Sequence, residues 1–121
     1  MIAMLLEGLS KSFPAANGAK TVAVEVLNLK VPVAERRHYL ACMEQQRQLF
    51  AAEKGIARFL VLEDREKLGY FAEIIEYATA EAQAALASDA RFRERLAAID
   101  RQVETLLPGE KRERRVMVDR L

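Results

Sequence analysis

From residue 21 onward the apolar residues fall in an order that few folds accept: strand, helix, strand, strand, helix, strand. Val22, Val24 and Val26 alternate with other residues, the period of a strand. From about Ala34 to Lys54 the spacing turns helical. A hairpin follows over 56–78, a second helical stretch runs to Leu107, and a last strand runs to Leu121. This βαββαβ order is the split-βαβ arrangement, an α+β fold with a four-stranded antiparallel sheet and helices on one face only. The bare face needs a cover, and a second copy of the chain would supply it, giving a homodimer. At 121 residues there is room for one such domain. Residues 1–20 are read as an N-terminal arm or extra element, and 21–121 as the domain.

Composition narrows the function classes. Lys and Arg number 19 against 18 Asp and Glu, so no global field draws nucleic acid or anionic lipid to the chain. The basic cluster Lys111, Arg112, Arg114 and Arg115 is interrupted by Glu113 and has no interleaved aromatics, which fits a solvated edge strand better than a nucleic-acid surface. No apolar run reaches the roughly 20 residues of a membrane span. The apolar start Met1–Leu6 lacks a basic lead and a small-residue cleavage site. Cys42 is the single cysteine, so an internal disulfide is impossible and a reducing cytoplasm is the expected compartment.

Helix ends are marked by residue type. Pro32 stands near the start of the first helix and Gly55 at its stop. Tyr39, Leu40, Cys42, Met43, Leu49 and Phe50 form one apolar face, with Gln46 inside it. Such a glutamine is hydrogen-bonded by a strand end, a partner chain or a ligand. Thr79 is placed to cap a short helix over about 79–87. Ser88-Asp89 offers a second cap for a helix over about 89–107, closed by Pro108-Gly109. Phe92, Leu96, Ile99, Val103 and Leu106 keep the helical stripe of that second piece.

With Asp64–Lys67 as its turn, the hairpin has a definite register. Ala57 faces Ile74, Phe59 faces Ala72 and Val61 faces Tyr70, large against small. On the other face Ile56 meets Ile75, Leu60 meets Phe71, and Arg58 sits opposite Glu73. Both faces are then largely apolar, which calls for cover on both.

Two resemblances bear on function. Leu6-Glu7-Gly8-Leu9-Ser10-Lys11-Ser12-Phe13-Pro14 with Val22–Pro32 resembles the opening of an ABC-transporter ATP-binding subunit. That family follows it with a GxxxxGK[ST] phosphate loop. Here Val33-Ala34-Glu35-Arg36-Arg37 enters a helix, and the five glycines form no such loop, so an ATPase is excluded. The second resemblance covers about 21–121. It rests on the element order, on Tyr70-Phe71-Ala72-Glu73-Ile74-Ile75-Glu76-Tyr77-Ala78-Thr79-Ala80-Glu81-Ala82, and on Ser88-Asp89-Ala90-Arg91-Phe92. In these stretches the chain resembles the ferredoxin-like, dimeric α+β-barrel superfamily. Antibiotic-biosynthesis monooxygenases, haem-degrading monooxygenases and NIPSNAP-like proteins belong to it. The resemblance implies a scaffold rather than a reaction.

The haem-degrading members use an asparagine on the first strand, a tryptophan ending the third and a histidine on the second helix. Asn28 matches the first place and Tyr77 stands at the second, but the second helix has no histidine. Haem ligation is thereby undercut, and no cofactor is expected. No HExxH, CxxC or GxSxG pattern occurs. His38, near the start of the first helix, is either a neutral base at a helix N-terminus or a flank residue of the helix–sheet seam. Arg58 and Glu73 are read as an ion pair that either satisfies itself at the dimer seam or anchors a ligand beside Leu60, Phe71 and Tyr77. The sequence identifies no specific function; the leading expectation is a small homodimeric barrel that binds a small apolar or aromatic metabolite between two sheets or serves as an interaction module. The alternative is a cofactor-independent monooxygenase acting on a quinol-like substrate, with Arg58 on the substrate anion, Asn28 or Tyr77 on its oxygen, and His38 accepting a proton. A third reading is a purely structural dimer with a filled barrel.

Overall fold

A computed structural model describes residues 2–10, 22–107 and 114–119. The strands are β1 (Ile2–Ser10), β2 (Val22–Lys30), β3 (Ile56–Asp64), β4 (Tyr70–Tyr77) and β5 (Arg114–Asp119). The helices are α1 (Arg36–Ala51), α2 (Ala80–Ala87) and α3 (Ala90–Leu106). The sheet order is β1-β3-β4-β2-β5, and every neighbouring pair is antiparallel. The last four strands in this order are the two interleaved βαβ units expected from the sequence. α1 crosses from β2 to β3 over β4, and α2 with α3 crosses from β4 to β5 over β2. β1 adds a fifth strand on the outer side of β3, with irregularities between Met4 and Leu6 and between Glu7 and Leu9. Such bulges are a common device of edge strands. The segment between Ser10 and Val22, the Pro108-Gly109 stop and Lys111, Arg112 and Glu113 lie outside the described residues.

One sheet face is packed under the helices. It carries Ala23, Glu25, Leu27 and Leu29 of β2, Phe59, Val61 and Glu63 of β3, and Phe71, Glu73, Ile75 and Tyr77 of β4, all buried. Val24 and Val26, the residues that mark β2 in the sequence, lie on the opposite face and are half-buried. α1 meets this layer with Tyr39, Cys42, Met43, Gln46 and Phe50, the face anticipated from its spacing. Phe50 anchors the aromatic centre, edge-on to Phe59 at 5.0 Å and stacked on Phe92 of α3 at 5.9 Å. The two caps are as read from the sequence. Thr79 accepts from the Ala82 N–H at 3.0 Å and Asp89 from the Phe92 N–H at 3.1 Å, so the second helical stretch breaks into α2 and α3. Gly55 does not end α1, which stops at Ala51. A Cβ at Gly55 would stand 3.1 Å from that of Ala82, so its role is the close approach of α2.

The hairpin register requires correction. Phe59 pairs with Ile75, Leu60 with Ile74, Val61 with Glu73 and Leu62 with Ala72. The pairing is shifted by three residues because the loop is Arg65–Gly69, five residues that start one position later and end two positions later than Asp64–Lys67. The Asp64 carboxylate accepts from the Glu66 and Lys67 N–H groups, and Gly69 turns the chain back with φ +93°. An odd shift reverses which residues share a face. Arg58 therefore lies opposite Glu76, not Glu73, and an extra residue at Ala57 interrupts the ladder between Ile56 and Arg58. Tyr70 leaves the core expected for it and stands 43% exposed on the open face.

At the same end of the sheet, Arg36 clamps the buried Glu63. Its Nη2 donates to Oε1 at 2.9 Å and its Nε to Oε2 at 3.2 Å, while the Gly69 N–H donates to Oε2 at 2.9 Å. Burial pushes the Glu63 carboxyl up, but Arg36 and the Gly69 N–H outweigh it and hold the group below the usual carboxylate range. A carboxyl depressed in the folded state contributes stability above its unfolded value of 4.5, and that contribution is lost as pH falls through the lower folded value. Acid unfolding below about pH 4.5 should therefore be less steep in Glu63→Gln than in the wild type, as read from urea midpoints at several pH values. Parallel curves for the two proteins would refute the clamp.

Candidate functional site

Polar chemistry inside this molecule is concentrated between the sheet and α1. Glu73, at the middle of β4, is 1% exposed. The Tyr39 hydroxyl donates to its Oε2 at 3.0 Å, and the Gln46 side-chain amide donates Nε2–H to its Oε1 at 3.2 Å. Both donors come from α1, seven residues or two turns apart, so one helix face presents them together. The Tyr39 ring is held in place by Phe71, with ring centroids 4.6 Å apart.

A second carboxylate shares the layer. Glu25 of β2 is 8% exposed and accepts from the Tyr77 hydroxyl at 3.0 Å. Glu25 pairs with Ile75 and Leu27 with Glu73. The two carboxylates are thus diagonal neighbours on one face, with Cβ atoms roughly 7 Å apart. Each has a tyrosine donor, and both lie in an otherwise apolar core. Such pairs of carboxylates and phenols can bind a hydroxyl or take up its proton.

On the outer side of α1, the helices α1 and α3 leave a seam between them. A groove of about 560 Å³ there is lined by His38, Ala41, Cys42, Gln45, Ala98, Arg101, Gln102, Thr105 and Leu106. Its volume lies in the usual range for small-molecule sites. Gln45 and Gln102 exchange amide hydrogen bonds across it at 3.4 and 3.3 Å. Cys42 lines the groove, is 6% exposed, and lies one helical turn before Gln46. Burial, and then the charge of Glu73, push its thiol up.

The residues singled out from the sequence divide between the two sides of the sheet. Glu73, Tyr77 and Phe71 lie in the layer under the helices, where Glu73 and Tyr77 each hold a hydrogen bond and Phe71 supports Tyr39. Arg58 and Leu60 lie on the open face, so the expected Arg58–Glu73 pair does not form across the hairpin. Asn28 is exposed on that open face, in a separate hollow of about 370 Å³ with Lys30, Asp64, Tyr70 and Ala72. His38 sits at the rim of the α1–α3 groove, its side chain 70% exposed and its Nδ1 3.0 Å from the Glu35 carboxylate, not at a helix–sheet seam. Tyr39, Glu25 and Cys42 were not among the expected site residues. Gln46 carried the signal, as an amide inside an apolar helix face. Among the described residues no group of His, Cys, Asp and Glu is arranged to hold a metal ion.

No protein-family model matches the sequence. No curated protein matches it either. Solved structures do resemble it. A protein from Nitrosomonas europaea, designated a candidate antibiotic biosynthesis monooxygenase, superposes with a TM-score of 0.65 and 17% identity over 79% of this chain and 88% of its own. SnoaB, a cofactor-independent oxygenase from Streptomyces nogalater, gives 0.61 and 17% over 85% and 96%. Rv0793 from Mycobacterium tuberculosis gives 0.62 and 18% over 80% and 92%. At these identities the likeness establishes a shared fold, and the reaction has to be argued from side chains.

Proposed function

We propose that this chain, which has the ferredoxin-like fold of antibiotic-biosynthesis monooxygenases, is a homodimeric cytoplasmic protein that binds a small apolar or aromatic metabolite. The ligand lies in the α1–α3 groove, against Cys42 of α1 and Ala98 and Leu106 of α3. The observation that carries this reading is the groove itself, about 560 Å³ lined by the apolar Ala41, Ala98 and Leu106 with Gln45, Arg101 and Gln102 beside them. The space between two sheets is a weaker location, because its proposed Arg58–Glu73 anchor is split between the two faces.

The reading predicts saturable binding of 2-naphthol, one per protomer, measured by calorimetry. Ala41, exposed at the groove, offers a block: Ala41→Trp should weaken binding tenfold or more without lowering the melting temperature. Unchanged affinity in Ala41→Trp would remove the groove from the proposal. The dimer is supported by the open face, where Val24, Val26, Leu60, Leu62 and Ile74 remain only half-buried in one protomer. Sedimentation at micromolar concentration should show twice the 13.7 kDa protomer mass; a lone protomer would refute the dimer.

A second reading is favoured by Glu73 itself. A carboxylate with two donors from α1 is placed to take a proton from a quinol hydroxyl, after which the substrate would activate oxygen itself. The likeness to SnoaB is in keeping with it. Oxygen uptake with 1,4-dihydroxynaphthalene, faster than without protein and lost in Glu73→Gln, is the expected result. Uptake at the protein-free rate would leave binding alone.

A further inference from the structure

We infer that the metabolite bound in the α1–α3 groove carries one carboxylate at its outer end, held by Arg101 with the side-chain amides of Gln45 and Gln102. The inference rests on the ligand reading above and specifies its chemistry. Arg101 is exposed on α3 and lines the groove. On α1, Arg36 is held by Glu63, His38 lies 3.0 Å from the Glu35 carboxylate, and Arg47 is held by Glu44. Arg101 has no such carboxylate partner among the described residues. Nor does any Asp or Glu among them line the groove. The site thus presents one uncompensated positive charge beside an apolar wall.

The hydrogen-bonding groups of the groove select in the same direction. Gln45 and Gln102 each give one amide N–H to the other's oxygen, at 3.4 and 3.3 Å, and each keeps a second N–H. Their oxygens are engaged in that exchange, and Gln102 Oε1 also lies 3.9 Å from the Cys42 thiol. The Thr105 hydroxyl spends its proton on the Gln102 carbonyl at 2.6 Å. A guanidinium adds five donors and no acceptor. What is left over is therefore mostly donors around one positive charge. A carboxylate accepts from a guanidinium through two parallel bonds and keeps lone pairs for the amides. An ammonium would face a like charge and find the amide oxygens taken. One arginine also matches a monoanion better than a phosphate dianion. Burial, and then the charge of Glu73, push the Cys42 thiol up, so the inner wall holds no thiolate to repel an anion.

The test compares three probes with one ring system by calorimetry at neutral pH and low salt: 2-naphthoate, 2-naphthol and 2-(aminomethyl)naphthalene, an anion, a neutral molecule and a cation. Because Arg101 is exposed, 2-naphthoate should bind about threefold to fivefold more tightly than 2-naphthol, and the amine most weakly. Molar salt should erase the preference by screening. Arg101→Gln should bring 2-naphthoate to the affinity of 2-naphthol, and Arg101→Glu should favour the amine instead. Arg93→Gln, an exposed change on α3 outside the groove lining, removes the same net charge and should keep the preference. Equal wild-type affinities for 2-naphthoate and 2-naphthol would overturn the carboxylate while leaving the groove in place. A preference that survives Arg101→Gln, or that is lost equally in Arg93→Gln, would overturn it too, by assigning the attraction to another cation or to the overall charge. If none of the three binds, the ligand reading falls and the inference with it.

Discussion

Glu73→Ala is expected to destabilise the protein by about 3–5 kcal/mol, because it orphans two buried donors at once. The Tyr39 hydroxyl and the Gln46 amide both end on this carboxylate, and each unsatisfied buried group costs about 1–3 kcal/mol, to which the vacated volume adds. Glu73→Gln keeps the shape and one acceptor oxygen, so its loss should be smaller, about 1–2 kcal/mol. The informative variant is the triple change Glu73→Leu, Tyr39→Phe and Gln46→Leu. Replacing all the partners by apolar groups removes the demand for hydrogen bonds, and the triple variant should be more stable than Glu73→Ala. Denaturant midpoints at pH 7 measure all three. A Glu73→Ala protein within 1 kcal/mol of the wild type would mean that the cluster contributes little to the fold.

Gly69→Ala should cost about 2–4 kcal/mol. Gly69 has φ +93°, where a side chain is strained, and a Cβ there would lie 2.4 Å from the Val31 carbonyl oxygen. That neighbour cannot move aside cheaply. The Val31 N–H donates to the Gly69 carbonyl at 2.7 Å, and the Gly69 N–H donates to Glu63. Displacing Gly69 therefore loosens the end of β2, the hairpin loop and the Arg36–Glu63 clamp together. Thermal unfolding should show the loss, and an unchanged melting temperature would contradict the close approach.

Gly69 also explains the main difference between the sequence and the molecule. The order of elements, the α1 face and the Thr79 and Asp89 caps are local properties, written in spacing and residue type within a few positions. Register is not local in that sense. Placing the turn at Asp64–Lys67 gives a four-residue loop, whereas Gly69, capable of positive φ, ends a five-residue loop that starts at Arg65, and the later start and later end together move every pairing by three. Because the shift is odd, it separates Arg58 from Glu73 and sends Tyr70 to the open face. In β2, the alternating valines mark a strand but not which side faces the helices. The buried side is the less conspicuous one, Ala23, Glu25, Leu27 and Leu29. The cluster itself depends on a long-range meeting of α1 with β4. Gln46 announces only that some partner exists, and the partner is known once the strands are in place.

The position of β2 has a kinetic consequence. This strand lies between β4 and β5, so its two ladders close onto segments that follow Gly69 and Glu113 in the chain. A ribosome releases β2 well before either flank exists. Pairings of such long sequence separation form slowly, on a scale of milliseconds to seconds, after large loops have been closed. Until then both of its backbone edges are open to the wrong neighbour. Dilution and low temperature should therefore favour recovery of the refolded protein over aggregation, more than for a helical bundle of the same size.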